Sequence, residues 1–226
     1  MTGAPPDDRS AEGRHDGAAV EEWMFTCWSG PVGVVSGFRI VDARTAWYWA
    51  ALVRPAQPLL HVTDWAVPRR SDPLLVKGDG LWAEHTCDAP MEQWSITNET
   101  YATALADPTE ALGRGYGVPT AISWDLEWYA TAAPRWRREP VDDRTGAYEQ
   151  VGVVHGDIEV GDTPEPLRLH EAAAHRWHRW GDELTPIDVS EAFAHTDQRV
   201  VFAFPDGTTA DWTLTPDGWR SRPDRT

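Results

Sequence analysis

Apolar residues along the chain recur in short runs broken by Gly, Pro and Asp rather than at helical spacing, the pattern of an all-β protein. The runs cover residues 22–29, 32–41, 45–53, 58–67, 80–88, 91–105, 121–132, 148–160, 198–205 and 208–215, enough strands to close an antiparallel β-barrel with few helices. Alternation is clearest in AISWDLEWYA, where Ile122, Trp124, Leu126 and Trp128 share one face and Ser123, Asp125, Glu127 and Tyr129 the other. One face of that strand is therefore expected to be buried. Asp206-Gly207, set between two strand-like runs, predicts a hairpin. Residues 106–119 and 133–146 read as long loops of the kind that lie over a barrel mouth.

These patterns divide the chain into a disordered polar arm (1–20), one barrel domain (21–218) and a short tail (219–226). The arm lacks the basic start and apolar middle of a secretory signal, and no run approaches the roughly 18 apolar residues of a membrane span, so a soluble cytoplasmic protein is expected. Cys27 and Cys87 then read as reduced thiols. A net charge of −16 argues against nucleic acid and anionic membranes, whose binding depends on Lys and Arg. Lysine chemistry is confined to Lys77, beside Gly78 in an apparent turn. Fourteen tryptophans suit either a plugged barrel interior or a cavity lined for a large apolar ligand, and one barrel can hold both.

Candidate chemistry concentrates in HEAAAHRWHRWGDE, residues 170–183. As a helix it would place Glu171, His175 and His178 on one face at metal-ligand spacing. As a strand, which suits HRWHRW better, Arg176, His178 and Trp180 point one way and His175, Trp177 and Arg179 the other, and no metal site is expected. There is no Gly-x-Ser-x-Gly elbow, and GRGYG (113–117) precedes Val118-Pro119 rather than a helix, so hydrolase and nucleotide-dependent readings drop out. In YEQVGVVHGDIEV, Tyr148, Gln150, Gly152, Val154 and Gly156 share one face, and Glu149, Val151, Val153 and His155 the other. If the second face points inward, Glu149 is desolvated and its pKa rises, giving a general acid; at the mouth it would instead pair with an arginine. Glu127 carries the same ambiguity.

Pro90 and Trp94 in APMEQW, then DLEW (125–128), YEQVGVVHGDIEV and HRWHRWG, resemble in order and spacing the hydroxyneurosporene synthase or carotenoid 1,2-hydratase superfamily over residues 22–215. The resemblance implies a lipocalin-like barrel of about ten strands and chemistry on polyene, terpenoid or polyketide-derived molecules. The family pattern Arg, Asp, His, any residue, Trp, Gly falls on Arg176 to Gly181, with Trp177 in place of the acid. Carotenoid hydration in particular is thereby put in doubt, and proton chemistry is assigned elsewhere. Family members commonly carry two barrel-like halves, so a ligand here would sit inside one barrel or at a homodimer contact.

The expected function is a cofactor-independent hydratase, isomerase or cyclase acting on a hydrophobic small molecule. Glu149, His178 and Glu127 would handle protons, and Trp124, Trp128, Tyr148, His155, Arg176 and Trp180 would line the substrate. The alternative is a non-catalytic carrier whose barrel is closed by His178 and Trp180.

Overall fold

In a computed structural model of the chain, residues 12–70, 74–113, 115–141, 144–161, 163–184 and 198–221 are described. They are almost entirely β-structure, with one short 3-10 helix, Pro108–Leu112. The strands are β1 (Val20–Ser29), β2 (Val32–Ile40), β3 (Thr45–Val53), β4 (Leu59–Pro68), β5 (Leu75–Gly78), β6 (Leu81–Ala89), β7 (Gln93–Leu105), β8 (Val118–Ala130), β9 (Arg135–Val141), β10 (Thr145–Val160), β11 (Leu167–Gly181), β12 (Arg199–Ala203), β13 (Thr209–Thr215) and β14 (Gly218–Ser221). Strands β4-β3-β2-β1-β11-β10-β8-β7 form one antiparallel path, closed into a barrel-like ring by Leu59 to His61 of β4 pairing with Thr103 to Leu105 of β7. The β5-β6 hairpin extends from β7, and β9 pairs with β10. Among the described residues no helix is long and apolar enough to cross a membrane.

Strands β12-β13-β14 form a second sheet. Its Val200, Phe202, Phe204, Trp212, Leu214 and Trp219 pack on Met24, Val35, Trp49, Ala51 and Val53, the outward side chains of β1, β2 and β3. This explains a difference in sequence texture. β2 and β3 are buried at nearly every position because both of their faces are covered, whereas β7 and β8 alternate between buried and accessible positions. The second sheet is also held by charge. Buried Glu22 of β1 accepts 2.7 Å hydrogen bonds from Nε of Arg39 and of Arg179, and Arg39 reaches Asp206, in the Asp206-Gly207 turn between β12 and β13, at 3.1 Å.

Tryptophans fit the ring because glycines sit beneath them. A methyl group added at Gly37, Gly146 or Gly152 would lie 2.1, 2.2 or 2.5 Å from Trp49, Trp180 or Trp128 or the backbone beside it. Trp23, Trp94, Trp124 and Trp128 all belong to the buried interior cluster.

A bulge decides which residues of β11 face inward. Opposite β10, Val154 pairs with Ala172 but Gly156 pairs with Leu169, so one residue of β10 faces two of β11. Leu169 is buried before the bulge, and Ala172, Ala174, Arg176, His178 and Trp180 are buried after it. Without the extra residue the inward parity would fall on Trp177 and Arg179 instead. Glu171 takes the left-handed conformation (φ 49°), and Gly156 has φ 143° with its Cβ position 2.1 Å from the Asp125 carbonyl oxygen.

Several expectations are corrected. The second half of the arm is part of the fold, since Glu12, His15 and Ala18 are buried, while residues 1–11 lie outside the described residues. Within 133–146, residues 135–141 form β9 rather than a loop, and Lys77 lies in β5. The expected tail begins with β14, whose Trp219 is buried. The reading of Cys27 and Cys87 as reduced thiols needs no correction: they form no disulfide, and burial pushes the Cys27 thiol up to about 12.

The bulge makes two substitutions diverge. Gly156→Ala forces a side chain into a carbonyl at a glycine-only conformation and should cost about 2 kcal/mol or more, whereas Glu171→Gly relieves a left-handed residue and should be neutral or stabilising by up to about 1 kcal/mol. Urea midpoints measure both; equal effects would contradict the bulge.

Candidate active site

Inside the ring, at the end closed by residues 12–18, neighbouring strands supply a continuous chain of buried polar groups. β1 contributes Glu21, β10 contributes Tyr148 and Gln150, and β11 contributes Arg176 and His178. Register brings them together: Tyr148 pairs with His178 and Gln150 with Arg176 across β10 and β11, while Trp23, next inward along β1 from Glu21, pairs with His178. The segment before β1 adds Glu12 and His15. Solvent exposure is 0% for His178, 1% for Glu21, Tyr148 and Arg176, and 4% for Glu12.

The chain begins at His15, whose Nδ1 lies 2.7 Å from Glu21 Oε1 and whose backbone N–H donates to Glu21 Oε2 at 2.9 Å. The same Glu21 Oε1 lies 2.8 Å from His178 Nε2. On its other side His178 Nδ1 faces the Tyr148 hydroxyl at 3.1 Å. That hydroxyl donates to Glu12 Oε2 at 2.7 Å, and Arg176 grips the Glu12 carboxylate with two nitrogens, at 2.9 and 2.7 Å. Gln150 Oε1 accepts from Arg176 Nε and Nη2 at 3.0 and 2.6 Å.

Aromatic rings enclose this chain. Trp23 stacks on His178 at 4.6 Å, and Trp180 stacks on His15 at 3.8 Å and 5°. The Arg176 guanidinium lies over Trp128, Tyr148 and Trp94, at 5.0, 5.2 and 5.6 Å. The indole N–H groups of Trp94, Trp124, Trp128 and Trp180 are buried and have no hydrogen-bond partner among the described residues.

Electrostatics polarise the groups in opposite directions. Burial alone would raise the Glu21 carboxyl, but the hydrogen bonds from His15 and His178 outweigh it and hold it at about 2. Burial likewise works against ionised Glu12, and Arg176 overcomes it, so its pKa falls. Burial lowers the His178 pKa against the pull of Glu21, and it raises the Tyr148 phenol well above 10 against the neighbouring Arg176 cation. The result at neutral pH is a neutral imidazole between a carboxylate and a protonated phenol. His178 Nε2–H donates to the Glu21 carboxylate, which leaves Nδ1 without a proton and turned toward Tyr148.

The residues singled out in the sequence separate into two groups. Tyr148, Arg176, His178 and Trp180 come together, with Trp128 against Arg176 and Trp124 deeper in the same interior. Glu149, Glu127 and His155 face outward. Of the two settings open for Glu149, it takes the one paired with an arginine and not the inward one with a raised pKa: its carboxylate lies 2.8 Å from Arg137 on β9 and 3.5 Å from His175, and these partners outweigh burial and lower its pKa. Glu127 is exposed and accepts from Tyr129 at 2.8 Å, and His155 lies 3.2 Å from His170. Glu171, His175 and His178 do not converge either, since the bulge and strand alternation separate them. A different trio does, with donor atoms of His15, Glu21 and His178 all within 4.8 Å of one another. Both imidazoles aim at one carboxylate oxygen, so a cation there would have to replace the protons of those two hydrogen bonds. Comparison with protein-family models, curated proteins and solved structures gives no match to this chain.

A second polar layer lies across the interior. His85 Nε2 is 2.9 Å from Ser36 Oγ, and Asn98 donates to the Tyr48 hydroxyl at 2.6 Å. Burial pushes His85 down to about 3 and Tyr48 up to about 12, and His61, under the second sheet, sits at about 4.

Acid should therefore destabilise the fold in two limbs. The neutral histidines contribute fully above about 6.5 and lose that contribution as pH falls toward about 3 for His85 and about 4 for His61; Glu21 contributes above 4.5 and loses it as pH falls to about 2. Denaturant titrations across this range should show stability falling already below pH 6.5, with the upper limb flattened by His85→Gln. A wild-type profile flat between 6.5 and 4.5 would contradict buried neutral imidazoles.

Proposed function

We propose that the protein is an acid–base enzyme acting on a hydrophobic small molecule of polyene, terpenoid or polyketide-derived type at the end of the ring, using its own side chains for proton transfer. The observation that carries this reading is the alignment of Glu21, His178 and Tyr148: a carboxylate orients an imidazole, and the imidazole's free nitrogen faces a phenol. Tyr148 has one hydroxyl proton and, among the described residues, two acceptors within reach, Glu12 at 2.7 Å and His178 at 3.1 Å. Rotation of that O–H moves the proton between the relay and whatever occupies the Glu12 position.

In this reading Tyr148 donates its proton to a substrate oxygen, Arg176 stabilises the phenolate and the negative charge that develops beside it, and the bare His178 Nδ1 takes a proton from substrate carbon or water and returns it to the phenolate. Hydration, isomerisation and cyclisation share this requirement. Glu149 and Glu127, outside the ring, have no part in it. The aromatic walls fold the substrate, and the enclosed setting strengthens each electrostatic contact. A carrier is the second reading, favoured by the unpartnered indole N–H groups, which a bound ligand's acceptors would satisfy.

Solvent-deuterium incorporation into molecules that copurify with the protein, followed by mass spectrometry, separates the two. Wild type should incorporate deuterium, and His178→Gln and Tyr148→Phe should lower the rate about 100-fold or more with the fold retained. Glu149→Gln should leave the rate within about twofold. Return of the ligand unlabelled by wild type would establish the carrier reading and overturn the enzyme.

A further inference from the structure

The polar network contains a complete carboxylate receptor, and the group now in it comes from the chain itself. Both oxygens of Glu12 are saturated: Oε1 accepts from Arg176 at 2.7 Å and from the Met91 backbone N–H at 2.7 Å, and Oε2 accepts from Arg176 at 2.9 Å and from the Tyr148 hydroxyl at 2.7 Å. The two side-chain donors belong to strands of the ring, and the third donor is the backbone of the β6–β7 turn. Only the carboxylate belongs to the segment that precedes β1. A bidentate arginine with one further donor for each oxygen suits a monocarboxylate. A phosphate would leave oxygens without donors in this shell.

A second contact of the same segment defines what lies beside the carboxylate. Three residues after Glu12, the flat His15 imidazole lies parallel on Trp180 at 3.8 Å, inside an apolar shelf of Ala18, Tyr148, Trp180, Met91 and Trp136. Residues 12–18 thus place a carboxylate on a buried arginine and a planar unsaturated ring on an indole, within the roughly 10 Å that three residues can span. Among the described residues, residues 12–17 form no strand pairing that would have to break if they moved, and the hydrogen bonds they make run through Glu12 and His15.

We propose that this end of the ring is the binding site for a hydrophobic monocarboxylate bearing a flat unsaturated group, and that the Glu12 and His15 side chains are its displaceable internal occupants. The ligand's carboxylate takes the place of Glu12 on Arg176, Tyr148 and the Met91 N–H, and its planar portion takes the place of His15 on Trp180. Departure of Glu12 leaves the Tyr148 proton to His178 and to the incoming ligand. The proposal takes the same ring end as the acid–base reading, but it stands on binding rather than turnover.

The test uses the full chain with Glu12→Ala, and thermal unfolding with acetate, trans-cinnamate, and the neutral acetamide and cinnamamide at matched ionic strength. Both carboxylates should stabilise the variant in a saturable way, cinnamate with at least about tenfold tighter apparent binding because it also stacks on Trp180, and the amides should not. Wild type should respond to cinnamate at least about tenfold more weakly than the variant because Glu12 competes, and Glu12→Ala combined with Arg176→Met should lose the response. Equal shifts from acids and amides, or a response that survives Arg176→Met, would overturn the receptor; a response to acetate without the cinnamate preference would overturn the flat-group site. Should Glu12→Ala not fold unaided, refolding yield carries the same comparison: rescue by cinnamate and not cinnamamide supports the proposal, and equal yields overturn it. A carboxylate response alongside deuterium exchange indifferent to His178 would leave the receptor standing and remove the enzyme reading, and the reverse pair of results would do the opposite.

Discussion

The ion pair of Arg176 with Glu12 is the constraint around which this end of the molecule is organised. An arginine enclosed by Trp94, Trp128 and Tyr148 would be severely destabilising without an anion, because removing one partner of a buried pair typically costs about 3–5 kcal/mol. Its charge requires a carboxylate from outside the strands, and that requirement draws residues 12–18 into the ring mouth. Gln150 fixes the guanidinium from β10, while Tyr148 and Met91 complete the carboxylate's shell. A well-packed apolar substitute could fill such a space without the desolvation penalty, so stability alone does not account for a fully hydrogen-bonded charge here.

The route from sequence to that site runs through backbone irregularity as much as through side chains. One added residue at Glu171 reverses the inward parity of β11 and brings Arg176 and His178 inside, opposite Tyr148 and Gln150. Glycines beneath Trp128 and Trp180 leave room for indoles on the same face as these polar groups. On the outer face of the same strands, the β12-β13-β14 sheet covers β1 to β3 and the buried Glu22, Arg39 and Arg179 cluster. The ring is thus braced from outside where β1 and β11 must hold the inner polar chain in register.

Much of this is legible along the chain, and the failures have physical causes. Period-two alternation in residues 121–132, the Asp206-Gly207 turn and the two faces of HRWHRW each identify β-structure locally, because a strand's side chains alternate whatever it pairs with. Alternation does not say which face is inward. In YEQVGVVHGDIEV either face could have been the inner one, and it is Tyr148, Gln150, Gly152 and Val154 that face inward while Val151 is exposed. Here the small and polar residues sit inside because tryptophans and an arginine from neighbouring strands need their space. Glu21 was within reach of sequence reasoning, since it continues the inward series Trp23, Phe25 and Cys27 by one step. Glu12 and His15 were not, because they lie in a polar stretch with no periodicity, and only long-range pairing with Arg176 and Trp180 gives them a place. The strand at 135–141 was hidden by RWRRE, whose arginines suit an exposed partner of β10 that supplies Arg137 to Glu149.

The protonation state of His178 tests the central claim most directly, and nitrogen NMR of labelled protein reads it without knowledge of any ligand. A neutral ring at pH 7, with Nε2 protonated toward Glu21 and Nδ1 bare toward Tyr148, is the predicted result, and the Nδ1 signal should change on Tyr148→Phe. A doubly protonated imidazolium at that pH, or a ring protonated at Nδ1 instead, would contradict the relay.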